Sequence, residues 1–298
     1  MKNLIIMLIC ALLVTTAVSY SAPLNNKFIS HEAKWIIHLD FEAFNTTQLA
    51  QCVKDEIKAQ GLEPKLEEFK STFSFNPIED IKNVTLYGKD KEEKNVIMIV
   101  QGKWEREKLL NQVNKSISYK KIEYKNLTLH SWIDVKGQAV CGSFFDTETL
   151  LIALNTETLI TGLDVLNGDK KFSKNKFLLK KPVKGTFLTA TAENINNDTI
   201  KNELFFMSIG ESNCKFFIRG SIVAKTVEEA TTVHQAIVGA LAIFQLNNQD
   251  RQPKLIALSK EIEVILKNKS VSVSFEKESI ELIKILKEAG EIQKQIEN

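Results

Sequence analysis

Three arginines, four histidines and four cysteines are few for 298 residues, and each shortage removes a class of function. Arginine stands only at Arg106, Arg219 and Arg251, whereas a nucleic-acid reader needs a basic face with arginines for bidentate phosphate and base contacts. The lysines are interleaved with Glu and Asp, giving a formal charge of +2, which describes a solvated surface. Nucleic acid is therefore excluded as a partner. No two of His31, His38, His130 and His234 share the spacing of a metal-binding face. No CxxC occurs, so redox and zinc motifs are missing as well. Glycine is equally sparse. No Gly-rich loop opens a helix, so no phosphate cradle is encoded, and Gly102 and Gly220 stand alone as expected strand ends with positive φ.

Apolar runs of membrane-spanning length are also lacking. The longest, Leu4–Val14, is roughly 15 residues with its flanks, short of the ~20 a spanning helix needs. With Lys2 before it and small residues after it, residues 1–21 read as a secretory signal peptide, the alternative being a retained anchor. Cleavage is expected after Ser19, with Ala17 at −3, or after Ser21, with Ser19 at −3. The mature chain then has no transmembrane segment, and it keeps Cys52, Cys141 and Cys214, an odd number that argues against a disulfide framework. Buried apolar thiols are the expected state of all three.

What is present is periodicity. Trp35, Ile37, Leu39 and Phe41 alternate with polar or smaller neighbours, marking a first strand over Lys34–Phe44. Val96–Gln101 is a second clear strand, ending in Gly102 and followed by a helix over Glu105–Lys115. Lys120–Tyr124, Leu127–Ile133, Ala139–Phe145 and Leu150–Leu154 form a meander that leads into a helix over Glu157–Leu166, stopped by Gly168. In the second half, Thr186–Ala192, Leu204–Ile209 and Cys214–Ile222 read as strands. Thr226 caps a long helix over Val227–Leu246, with Glu228 and Glu229 at its positive end. A hairpin, Ile262–Leu266 and Val271–Phe275, precedes a terminal helix.

The landmarks repeat. Ile99-Val100-Gln101-Gly102 aligns with Phe217-Ile218-Arg219-Gly220, and Leu150–Leu154 with Val271–Phe275. The expected fold is α+β: two related halves, each a mostly antiparallel sheet with helices packed on one face. The expected boundaries are a signal peptide over 1–21, a loose lead-in over 22–33 and a first half over 34–168. A solvated Lys-rich connector over 169–184 then joins a second half over 185–298.

Chemistry is thin. His38 and Asp40 share one strand face, the nearest approach to a ligand pair, and a half-exposed polar strand face explains them better. Asp40, Glu42 and Asp134 lie at strand ends without any sequence sign of convergence. Cys141-Gly142-Ser143 lacks the strand–turn–helix setting of a nucleophile elbow. Trp104, at a helix start, is a candidate contact residue. No residue is assigned a catalytic, cofactor-binding or metal-binding role.

The segments VIMIVQG, at Val96–Gly102, and TLLIALNTETLITGLDVLNGD, at Thr149–Asp169, resemble those of a loose class of exported proteins of unknown function from planctomycete- and lentisphaera-type bacteria. The resemblance implies export and a duplicated α+β fold, and brings no catalytic residue with it. The expected function is that of an exported, non-catalytic binding or scaffold protein of the periplasm or cell envelope, without a cofactor, whose partner is a protein or small molecule there. One alternative is a carrier of an apolar ligand such as a lipid, which requires an apolar pocket between sheet and helix. The other is a hydrolase, which requires His38, Asp40 and a second acid in one cleft.

Overall fold

The structure, a computed structural model, describes residues 22–116, 118–134, 136–194, 202–248 and 252–297. The expected signal peptide lies outside the described residues.

The first-half strands are β1 (Trp35–Asp40), β2 (Ile81–Gly88), β3 (Val96–Gly102), β4 (Lys120–Tyr124), β5 (Leu127–Ile133), β6 (Ala139–Phe144) and β7 (Thr149–Ala153). Those of the second half are β8 (Thr186–Glu193), β9 (Asn202–Ser212), β10 (Lys215–Ala224), β11 (Glu263–Lys267) and β12 (Ser270–Glu278). All twelve join one antiparallel sheet in the order β11-β12-β10-β9-β8-β1-β2-β3-β7-β6-β5-β4. The fold is α+β.

The two halves meet at the centre, where β1 pairs with β8 in the register Ile37↔Ala190. Outward from β1 the path takes β2 and β3, then places β7 and β6; outward from β8 it takes β9 and β10, then places β12 and β11. The strands aligned in sequence, β3 with β10 and β7 with β12, thus occupy matching places in the winding. The glycines do not match. Gly220 lies within β10 opposite Met207 and Val273, and neither it nor Gly102 has a positive φ. Gly102 is needed for close approach, because a Cβ there would stand 2.7 Å from the Asp80 carbonyl oxygen.

Among the described residues eight α-helices accompany the strands: α1 (Phe41–Asn45), α2 (Gln48–Ala59), α3 (Glu63–Phe73), α4 (Arg106–Val113), α5 (Thr156–Asn167), α6 (Val227–Asn248), α7 (Pro253–Lys260) and α8 (Ser279–Glu297). The first strand ends earlier than alternation predicts. The Asp40 carboxylate accepts the Ala43 N–H at 2.8 Å and starts α1, so an N-cap overrides the extended pattern.

Pleating puts Ile36, Tyr87, Ile97 and Ala153 on one sheet face, register partner by register partner. The helix α5, capped by the Asn155 side chain and ended by Gly168 at φ 82°, lays Leu159 and Leu163 on that face. Two segments expected to be loose complete this core. Ile29, in the lead-in, is fully buried, and so is Leu178, in the connector. They are tied together by Ser173 N–H donating to the Ile29 carbonyl at 2.7 Å and His31 N–H to the Lys171 carbonyl at 3.1 Å. The connector's lysines stay outside while Leu178 and Ser173 turn inward, so charge composition alone misjudged it.

The opposite face carries Ile37, Leu86, Ala190, Met207 and Val273. In the second half α6 packs on it, its Ala230 and Val233 meeting Ile222, Val264, Leu266 and Val271. The principal helix of each half covers one face, and the two faces are different ones.

Candidate functional site

The sequence singled out His38 and Asp40, and β1 does bring both to one face. They are not half-exposed: His38 is 7% and Asp40 4% accessible. The backbone of Ala22 lies across them. Its N–H donates to Asp40 Oδ2 at 2.9 Å, and its carbonyl stands 3.0 Å from His38 Nε2. Since a carbonyl only accepts, Nε2 carries the proton, and in the neutral ring Nδ1 accepts from the Thr85 hydroxyl at 2.8 Å. Burial pushes the His38 pKa below its ordinary value, against the opposing pull of the Ala22 carbonyl and Asp40. The imidazole is thus a neutral, doubly bonded brace. The cavity beside it, bounded by Leu24, Leu178 and Phe187, holds only 60 Å³.

The other carboxylates do not converge on this pair. Asp134 accepts the N–H groups of Lys136 and Gln138, each at 2.8 Å, and shapes the turn after β5. Strands β2, β3, β7 and β6 separate β5 from β1, a distance of roughly 24 Å at the usual strand spacing. Glu42 sits in the first turn of α1. Ser143 donates to the Thr128 carbonyl at 2.9 Å and is fully buried, which accounts for it structurally. Among the described residues no three His, Cys, Asp or Glu side chains gather as a metal site.

The cysteines differ from expectation in two cases. All three are free, and Cys141 is buried, but Cys52 is half-buried and Cys214 exposed. Cys214 occupies the β9–β10 turn at φ 64°, where no core is available to cover it. Trp104 is half-buried, its ring centroid 6.4 Å from that of Phe75 and 6.3 Å from that of Phe144, on which Arg106 also lies. It packs α4 onto the sheet.

Two places that the sequence did not flag have the character of sites. The first is a cavity of 460 Å³ beside the β2–β3 hairpin and the start of α5, bordered by Glu32, Lys89, Lys94, Asn155 and Glu157. Tyr87 lies at its base, 2% accessible, its pKa raised by burial against the opposing pull of the Ser30 backbone. The second is α6. From Ala230 to Gln249 the sequence has no Asp, Glu, Lys or Arg. Only Ala230 and Val233 of its 22 residues are buried, while Val238, Phe244, Ile243 at 60% and Leu246 at 71% face outward. The signal was present in the sequence as the run Ala236–Phe244, apolar on every side, which ordinarily means burial on every side.

No family model and none of the curated proteins matches this chain. Among solved structures, crystal form III of TP0453 aligns with 89% of this chain and 98% of its own, at a TM-score of 0.49 and 7% identity. Crystal form I of TP0453 aligns with 90% and 98%, at a TM-score of 0.47 and 7% identity. Among the described residues no helix is long and apolar enough to cross a membrane.

Proposed function

We propose that this is an exported, non-catalytic binding protein of the periplasm or cell envelope, which docks a protein partner on the C-terminal half of α6. The observation that carries the reading is the run Val238, Ile243, Phe244 and Leu246, exposed on a helix without a charge from Ala230 to Gln249. Contiguous exposed apolar surface of this kind marks an interaction site. Helices that lie on lipid are rich in Lys and Arg along their polar face. None occurs here, which favours a protein surface over a membrane. Carriage of a lipid inside the fold finds little room: the apolar cavity under Leu24 and Phe187 holds 60 Å³, and the 460 Å³ one is rimmed by charged and amide groups. Hydrolysis through His38 and Asp40 lacks a free acid–base pair, since both are bound to the backbone of Ala22.

A photo-crosslinking residue at position 243, introduced in the protein in its own envelope, tests the reading. A defined protein adduct is expected, missing when the same group replaces Ile265, which is 55% accessible on β11. Adducts to lipid alone, or the same adducts from both positions, would overturn it.

A further inference from the structure

The sequence leaves two places for leader cleavage, and the fold distinguishes between them. Ala22 is not a passive first residue. Its nitrogen stands 2.9 Å from Oδ2 of the buried Asp40 and its carbonyl 3.0 Å from His38 Nε2, while Leu24, two residues on, packs against the core of Ile36 and Leu178. Asn25 then caps the short 3₁₀ turn Asn26–Phe28, and Ile29 is fully buried. Residues 22–29 are therefore held against β1 and the core by hydrogen bonds and packing.

Resting on the reading that the protein is exported, we propose that the leader is removed between Ser21 and Ala22 and that the new α-ammonium pairs with Asp40. Ser19 at −3 and Ser21 at −1 meet the small-residue requirement for this cut. Hydrolysis adds one water across the Ser21–Ala22 bond, leaving a carboxylate on the leader and an amine on Ala22 that is protonated at neutral pH. The nitrogen that forms the ammonium is the one already directed at Asp40. A neutral amide–carboxylate contact becomes a charge-assisted one, the stronger kind of hydrogen bond, and a buried carboxylate gains an opposite charge. Cleavage after Ser19 instead leaves Tyr20 first and moves the charge two residues upstream, about 7 Å of extended chain. Processing and folding are coupled in this scheme: only the correctly cut chain has its terminus locked under the connector that carries Leu178.

The intact mass of the protein taken from its envelope is expected to correspond to a chain beginning at Ala22. A mass beginning at Tyr20 would overturn the inference and leave export standing, and a mass retaining Met1 would overturn both. The ion pair is tested with mature chains beginning at Ala22 and at Tyr20, each with Asp40 and with Asp40→Asn. Asparagine is as good an N-cap as aspartate, so α1 is preserved while the charge is lost and the amide nitrogen in place of Oδ2 no longer accepts from Ala22. The Ala22 start is expected to melt about 3–6 °C above the Tyr20 start when Asp40 is present, and at the same temperature when it is Asn. Equal melting with Asp40 present would show that no such pair forms.

Discussion

The two halves wind through the sheet by the same path and finish differently. In the first, α5 buries five of its 12 residues against a core that also takes in Ile29 and Leu178. In the second, α6 buries two of 22, and its cluster is confined to Ala224, Ala230, Val233 and Val271. A lack of apolar residues does not account for the difference, since the middle of α6, Ala236–Phe244, is apolar throughout. What differs is cover. The first half has chain from outside its own strands, residues 22–33 and 169–180, folded over its helix and sheet. At the far end of α6 the following helix α7 lies alongside, with Gln245 donating to the Ser259 hydroxyl at 3.1 Å, yet Ile243 and Leu246 stay exposed. One half thus has a covered helix, while the other leaves part of its helix uncovered.

Core truncation should break this comparison most strongly. Leu163 on α5 is fully buried, and Leu163→Ala is expected to cost about 3–5 kcal/mol of unfolding free energy in urea titration, from lost transfer energy and the cavity left behind. Leu241→Ala, at the equivalent distance along α6 but only half-buried, should cost well under half of that. Equal losses would mean that α6 is as firmly seated as α5.

How far the sequence foretold this contrast depends on the range of the interaction involved. Short-range patterns were legible: β4 came out as Lys120–Tyr124 and β5 as Leu127–Ile133, as alternation indicates, and the start of α6 followed from Thr226 and the glutamates behind it. The aligned landmarks also fall on corresponding strands, although their pairing, β3 with β7 and β10 with β12, was not foreseen. Burial set by distant chain was not legible. Ile29 and Leu178 sit in irregular segments without a period, and only the tertiary bonds between residues 29–31 and 171–173 bring them inside. The same holds for the candidate site. His38 and Asp40 were visible as a same-face pair, but Ala22, which occupies both, is close to them only in the fold. The exposure of α6 was hidden because its stripe of Val233, Ile237, Leu241 and Phe244 reads as a buried face, of which Val233 is buried and Phe244 is exposed.

Titration should separate the halves next. His38 and His130 both belong to the first half, and both have lowered pKa values. Burial is the main cause in each, with Arg106 and Lys121 adding repulsion at His130. A lowered histidine is neutral in the fold and takes up its proton more readily when unfolded. Its contribution is therefore complete above the unfolded value of about 6.5 and is lost as the pH falls from there toward the folded value. Unfolding free energy is expected to decline as the pH falls from 7.5 to 5. His38→Gln, which keeps a donor for the Ala22 carbonyl, should reduce that slope and leave the part due to His130. A second loss is expected in stronger acid. Asp164 is raised by burial but lowered more by its bonds to Lys125 at 2.7 Å and Tyr124 at 2.8 Å, so its contribution disappears only as the pH falls below about 3.9 toward the lowered value. An unchanged slope in His38→Gln would place the acid sensitivity elsewhere.

The smallest effect on stability is the most informative about function. Ile243 and Leu246 are more exposed than any buried position of α5, at 60% and 71%, so replacing both with serine removes little that folding has sequestered. The double variant is expected to keep its unfolding free energy within about 0.5 kcal/mol of the parent, as substitutions outside the core do. A hydrophobic dye that binds exposed apolar surface should bind it less than the parent, and the adduct formed by a crosslinker at nearby Val238 should be lost. Stability and docking would then be carried by different halves of one sheet. A large loss of stability would instead show that the end of α6 closes onto its own chain, and the division between a supporting half and a presenting half would have to be abandoned.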